Sequence, residues 1–268
     1  MSDSPDITVT AIFHAEGPLA LPALASMRDQ VDTARAAGLT IEARAVLDCG
    51  DDATRHILST RGDWLDGIEE VSVGDLGLSR NVGVRAARGE FLAFLDGDDL
   101  WGREWLRLAH AAANAPNLPA DIIWHPEKLY FFTEDDFDRN TFGEVPLLAA
   151  QGHFMTHWNS ENPKFDRDVL FLNNIWTANV FARRSLHERF PYAPADRTRG
   201  FGVEDWSWNL TTVWNGIGHR VVADTVHIIR MKEFGSLGAR NQAEGLLPHL
   251  PEDALPLLGN ARGPISSG

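Results

Sequence analysis

Apolar residues recur with strand and helix periods by turns over the first hundred or so positions, and with less regularity after that. Residues 7–13 form an apolar run short enough for a first strand, followed by the turn His14-Ala-Glu-Gly-Pro18. A helix is expected next, with Pro22 near its start and Gly38 past its end. Ile41, Ala43, Ala45 and Leu47 alternate as a second strand that stops at Asp48, and a short helix runs on toward Thr60. Residues 69–73 read as a third strand. Leu78, Val82 and Ala86 recur at helical spacing, Gly89 ends that helix, and residues 91–95 suit a central strand. Another helix is expected to begin near Trp101. This alternation implies βαβ units and a mostly parallel sheet.

Residues 114–119 shift to Pro and Asn, which marks a boundary or a long connection. Beyond it, strands are expected around 121–124 and 128–132, then an acidic loop at 134–138 and a polar, aromatic stretch over 152–174. Such irregular segments on a rigid scaffold often form substrate-facing walls. Residues 204–216 read as a helix carrying Trp206, Leu210, Val213 and Trp214, and residues 220–230 supply one or two late strands. The tail over 251–268 is expected to be mobile.

Composition narrows the function classes. The chain has 268 residues, 44% of them hydrophobic, enough for a substantial core. A formal charge of −14 argues against binding a nucleic-acid polymer, which clustered Lys and Arg would hold. It leaves a nucleotide open, because one divalent ion neutralises a diphosphate locally. No apolar run is long enough to span a membrane, and the N-terminus has no signal-peptide pattern. With Cys49 alone, no intramolecular disulfide forms. A soluble, cytoplasmic protein is expected, with peripheral attachment to the inner face of a membrane left open. The nine Trp residues suit either a core or the stacking faces of a sugar site.

The chemistry concentrates after the central strand. Asp96, Asp98 and Asp99 emerge at its carboxyl end, where open α/β sheets bind ligands, and hard carboxylate oxygens favour Mg²⁺ or Mn²⁺ over zinc. A solvated Asp-Gly turn gives the same letters. The flanking residues change the weighing: Arg80-Asn81-Val82-Gly83, Ala87-Arg88-Gly89-Glu90, the apolar run and Leu95-Asp96-Gly97-Asp98-Asp99 together resemble the nucleotide-sugar glycosyltransferases of family 2. Gly202-Val203-Glu204-Asp205-Trp206 resembles that family's Glu-Asp-Trp motif at the start of a late helix. The resemblance covers residues 7–240 and is weakest over 119–173.

The resemblance implies a GT-A fold: an α/β domain with a mixed, mostly parallel central sheet flanked by helices and a less regular C-terminal, acceptor-binding half. Residues 1–115 would bind the nucleotide sugar, residues 116–240 would bind the acceptor and carry the catalytic base, and residues 241–268 would be an extension. It implies an inverting hexosyl transfer from a UDP-, GDP- or dTDP-linked sugar to a carbohydrate or other hydroxyl acceptor, with Mn²⁺ or Mg²⁺ on the diphosphate. Asp98 is the expected metal ligand with Asp96 beside it, Gly97 letting the backbone approach the ligand. His227 is the candidate third ligand and His219 its competitor. Asp48 would contact base and ribose, although Cys49 stands where the family has a second acid. Arg80 and Asn81 reach the donor or pin the loop, and Arg230 and Lys232 pair with phosphate oxygens. Residues 235–238 have the small side chains of a closing loop. Asp205 is the candidate general base, because attack by an alcohol needs a carboxylate opposite the leaving group. Glu204, Trp206 and Trp158 are candidates for the acceptor side, Trp158 with His153 and His157 nearby.

Rival readings are a sugar-nucleotide pyrophosphorylase, whose basic, Gly-rich first turn is missing at residues 14–18, and a phosphatase with a nucleophilic Asp-x-Asp, which lies nearer the N-terminus and continues into Thr. A third is a non-catalytic nucleotide- or carbohydrate-binding protein on a decayed GT-A scaffold.

Overall fold

The structure, a computed structural model, describes residues 4–133, 153–232 and 235–251. The expected acidic loop at 134–138 and the tail beyond 251 lie outside the described residues. β1 (Ile7–Phe13), β2 (Ile41–Asp48) and β4 (Phe91–Asp96) are the centre of the sheet. Each is buried along almost its whole length, as strands covered on both faces must be. The alternation in β2 therefore does not separate a wet face from a dry one. Glu42 lies between Ile41 and Ala43 yet is 2% exposed, accepting bonds from Thr8 Oγ1 at 2.7 Å and the Arg88 amide at 2.9 Å.

With β3 (Gly67–Val71), β5 (Leu100–Trp101), β6 (Ile122–Thr133), β7 (His153–Thr156), β8 (Phe181–Arg183) and β9 (Gly218–Met231), nine strands among the described residues form one sheet. Its order is β3-β2-β1-β4-β8-β6-β9-β5, with β7 beside β6. The long ladders β1–β2, β1–β4, β2–β3 and β6–β9 are parallel, and the antiparallel ones are short. On one face α1 (Ala20–Ala36) and α4 (Trp105–Ala113) pack Leu24, Met27, Trp105 and Leu106 against Val9 and Phe13. On the other, α3 (Leu76–Ala86) and α5 (Arg184–Arg189) bring Val84 and Leu186 to Ile12, Leu92 and Phe94. The result is a mixed α/β fold with helices on both sides of a mostly parallel sheet.

Several boundaries move from their expected places. Trp101 begins no helix: it pairs with His227 in β5, and α4 starts at Trp105. The two strands expected around 121–132 are one, β6, because a register shift between Pro126 and Lys128 absorbs the proline. Of the one or two late strands expected over 220–230, the structure has one, β9. The expected closing loop at 235–238 runs into α7 (Leu237–Ala243), whose N-cap Ser236 accepts the Ala239 amide at 3.3 Å. α2 (Asp52–Arg61) is capped by Asp51, which accepts the Thr54 amide at 2.7 Å. From 245 to 249 the chain is docked: the Gly202 amide donates to Leu247 O, and the His249 amide to Ser207 Oγ at 3.0 Å.

Candidate active site

The carboxyl ends of β2 and β4 deliver Asp48 and Asp96 to the crevice where the fold class places ligands. Asp48 is already engaged. Its Oδ1 accepts the Val73 and Gly74 amides at 2.8 and 3.0 Å and Cys49 Sγ at 3.3 Å, while Oδ2 accepts the Asp75 amide at 3.2 Å and Ser79 Oγ at 2.8 Å. Burial alone would raise its pKa, but these donors outweigh it and hold the carboxyl below the usual range. These bonds shape the turn that leads to Asp75, the N-cap of α3, which accepts the Leu78 amide at 2.9 Å. Asn81 is equally committed, exchanging two bonds with the Tyr192 backbone at 2.8 and 2.9 Å.

Arg80 is the centre of the arrangement. It is fully buried, its Nη2 2.7 Å from Asp96 Oδ1 and 3.5 Å from Glu204 Oε1, with its guanidinium over the Phe94 and Tyr192 rings. One cation thus joins the acid ending β4 to the acid opening α6 (Glu204–Trp214). The two motifs lie about a hundred residues apart in sequence, and Arg80 is the charge they share. Gly77, one turn earlier on α3, permits this approach, since a Cβ there would meet Ala193 O at 2.8 Å and Glu204 Cβ at 3.1 Å. Of the two roles expected for Arg80, reaching the donor or pinning the loop, these contacts are of the second kind.

Around the β4–β5 turn the charges alternate. Lys232 Nζ lies 2.6 Å from Asp98 Oδ2. Asp99 is buried; its Oδ1 accepts the Arg230 amide at 2.9 Å and its Oδ2 is 3.0 Å from His227 Nε2. Arg230 Nε donates to Asp98 O at 3.2 Å, with the guanidinium over Phe132. Burial pushes the Asp99 carboxyl up to about 6, against the pull of His227. His227, expected as a third metal ligand, therefore faces Asp99, and among the described residues no three His, Cys, Asp or Glu side chains converge as a metal group. Its competitor His219 has both ring nitrogens engaged, with His125 Nε2 and Thr212 Oγ1, each at 2.9 Å. Gly97 is needed for packing: a Cβ would sit 2.5 Å from Phe13 Cδ1 and 2.7 Å from Ile12 O. Glu16, from the β1–α1 turn, accepts the His14 amide, and burial pushes its carboxyl up to about 6.

α6 opens on a strained residue. Val203 has φ +59°, a left-handed conformation costly for a β-branched side chain, and it sets the direction in which Glu204 and Asp205 leave the helix. Burial, then the Asp205 charge, push the Glu204 carboxyl up to about 8 against Arg80, and burial pushes Asp205 up to about 6. Both carboxyls are thus raised, Glu204 further than Asp205, because burial and their mutual charge act against Arg80. Asp205 Oδ1 accepts its neighbour's amide from Trp206 at 2.7 Å, and Oδ2 accepts Asn174 Nδ2 at 3.0 Å. Asn209 Nδ2 donates both to Trp176 O at 3.1 Å and to Asn174 Oδ1 at 2.9 Å. Because a backbone carbonyl only accepts, this chain fixes which end of the Asn174 amide faces Asp205. Trp206 donates its indole N–H to Leu170 O at 2.6 Å, while Trp158 is 45% exposed and His157 buried, bonded to Pro126 O at 2.7 Å.

Sequence reasoning missed Glu16, Asn174 and Asn209 as parts of the site. The first sits in a turn, Asn174 at the end of the irregular aromatic stretch, and Asn209 on α6, where a polar residue buried on a helix reads as packing.

The fold and its crevice of facing acids define a GT-A-type α/β protein. The model of glycosyl transferase family 2 matches residues 8–185, and the chain belongs to that family. No curated protein sequence matches the chain. Among solved structures, S. aureus TarS 1-349 is 17% identical with a TM-score of 0.56 over 84% of this chain and 60% of its own. Its complex with UDP-GlcNAc gives 15% and 0.57, over 87% of this chain and 61% of that one. The mannosyltransferase PcManGT from Pyrobaculum calidifontis, in complex with GDP-Man and Mn²⁺, gives 16% and 0.58, over 97% and 70%. At these identities the likeness is one of fold. The chain spans about three fifths of the TarS 1-349 chain. Among the described residues no helix is long and apolar enough to cross a membrane.

Proposed function

We propose that the protein is an inverting glycosyltransferase that moves a hexosyl unit from a nucleotide-diphosphate sugar to an acceptor hydroxyl. The observation that carries the reading is the Arg80 bridge, which brings Asp96 and Glu204, and with Glu204 its neighbour Asp205, into one cleft. Family membership and likeness to proteins solved with UDP-GlcNAc and with GDP-Man and Mn²⁺ support the substrate class.

The residues fit a hard divalent ion. Asp96 and Asp98 are carboxylates at a strand end, each already beside a side-chain cation, and two protein oxygens suffice for Mg²⁺ or Mn²⁺, which keep the remaining positions for water and phosphate. When bound, such an ion stabilises the charge growing on the departing diphosphate. Asp205 takes the proton of the acceptor hydroxyl, with Asn174 holding it ionised and oriented. In this reading Glu204, the more strongly raised of the two, keeps the proton of the pair and adds no second negative charge beside Asp205. Lys232 and Arg230 lie at the edge of the same turn to meet phosphate oxygens. Trp158 offers an exposed ring to a sugar acceptor.

The test is a donor panel (UDP-GlcNAc, UDP-Glc, GDP-Man, dTDP-Glc) with Mn²⁺, read as the nucleoside diphosphate freed when the sugar passes to water or to an added acceptor. One donor should be turned over with inversion at the anomeric carbon, and Asp205→Asn should lower the rate at saturating donor by about 10²-fold or more. A rate unchanged by Asp205→Asn, or retained configuration, overturns the assignment.

A further inference from the structure

In this conformation the carboxylate assigned to the metal already holds a cation of the protein's own. Lys232 Nζ stands 2.6 Å from Asp98 Oδ2, with the two side chains 21% and 15% exposed. Glu16 and Asp99 add their charges to the same ammonium. The backbone there is anchored: β9 ends at Met231, and the Arg230 amide is fixed to Asp99. The Lys232 side chain, by contrast, is a point charge on a flexible four-carbon stem. A divalent ion sits about 2.1 Å from a carboxylate oxygen. It cannot share Oδ2 with an ammonium at hydrogen-bond distance without placing two positive charges side by side.

We infer that Lys232 is a built-in competitor for the cation position on Asp98, holding that carboxylate until a metal-bound nucleotide enters and then exchanging it for a phosphate oxygen. The diphosphate is what makes the exchange possible, since it offers the ammonium a charge-assisted partner as strong as the one it leaves. Free divalent ions therefore bind weakly, and the ion arrives with the nucleotide. The inference rests on the reading of Asp98 as a metal carboxylate.

The experiment titrates the full chain and its Lys232→Met variant with Mn²⁺, following loss of the free-ion electron paramagnetic resonance signal. Each is measured without nucleotide and with saturating UDP or GDP. Without nucleotide, Lys232→Met should bind Mn²⁺ about tenfold more tightly than the parent, and Lys232→Arg, which keeps the charge, should stay close to the parent. With UDP or GDP the gap should close or reverse, because the variant also lacks a phosphate partner. Lys232→Gln serves as a second neutral variant if the first misfolds. Equal affinities of parent and neutral variants for free Mn²⁺ overturn the competition and leave the metal reading standing. Failure of every protein to bind Mn²⁺, with and without nucleotide, overturns both.

Discussion

Replacing Glu204 by Gln should change how stability depends on pH. In the folded protein burial, then the Asp205 charge, carry the Glu204 carboxyl up to about 8, well above the ordinary glutamate value. A raised carboxyl pKa means that the folded state binds the proton more tightly, so its contribution is fully present below the unfolded value and is lost as pH rises through the folded one. The window from pH 7 to 9 isolates this group. Glu16, Asp99 and Asp205, at about 6, are mostly ionised there, and His157, His187 and His219, pushed down to about 4, 3 and 3 by burial, are mostly neutral whether folded or not. A folded value near 8 gives a loss of about 1 kcal/mol from pH 7 to 8 and about 1.3 kcal/mol by pH 9. For a chain of this size that lowers Tm by about 2–5 °C. Gln does not titrate, so the variant should lack this loss, and its stability advantage over the parent should widen by the same amount between pH 7 and pH 9. Scanning calorimetry of both proteins at fixed ionic strength makes the comparison. A Glu204→Gln protein that keeps the full parental slope would show that Glu204 is ionised throughout, and with it the separation of roles between Glu204 and Asp205 would be lost.

Three further outcomes are expected. Asn174→Ala removes a donor to the ionised Asp205, so the acidic limb of the kcat pH profile should move up by about half a unit to one unit; a lower kcat with an unmoved limb would make Asn174 a packing residue only. Arg80→Met leaves Glu204 and Asp96 without their shared cation and should destabilise the fold by about 3 kcal/mol at neutral pH. Urea denaturation showing less than about 1 kcal/mol of loss would contradict that bridge. Val203→Gly relieves a positive φ and should raise stability by about 1 kcal/mol in the same assay; a loss would mean that the valine side chain's packing matters more than its backbone strain.

The readable part of the sequence was the part whose signal is periodic. β1, β2, β4, α1 and α3 sit close to where their apolar spacing and their Gly and Pro punctuation put them, because strands covered on both faces are continuous apolar runs and helices declare a stripe. Errors fell where a local rule met a tertiary one. Two strands are expected over 121–132, but a register shift between Pro126 and Lys128 carries one ladder through. Trp101 looked like the start of a helix until pairing with β9 claimed it for an edge strand. The segment expected as a closing loop instead runs into α7 behind the Ser236 cap.

Charge was less legible than pattern, and for a reason Arg80 illustrates. A sequence shows that an arginine stands four residues into a helix; whether it meets solvent, a ligand or a buried acid depends on what the chain brings back more than a hundred residues later. Here that is Glu204, while Asp96 arrives from the neighbouring strand, and together they hold the guanidinium inside the protein. The same holds for Asp98, whose partner Lys232 lies 134 positions downstream in the numbering. Two acids that read as paired metal ligands each carry an internal cation in this conformation. The crevice is therefore already partly neutralised before a ligand enters, and what a bound diphosphate changes is which partners its cations keep.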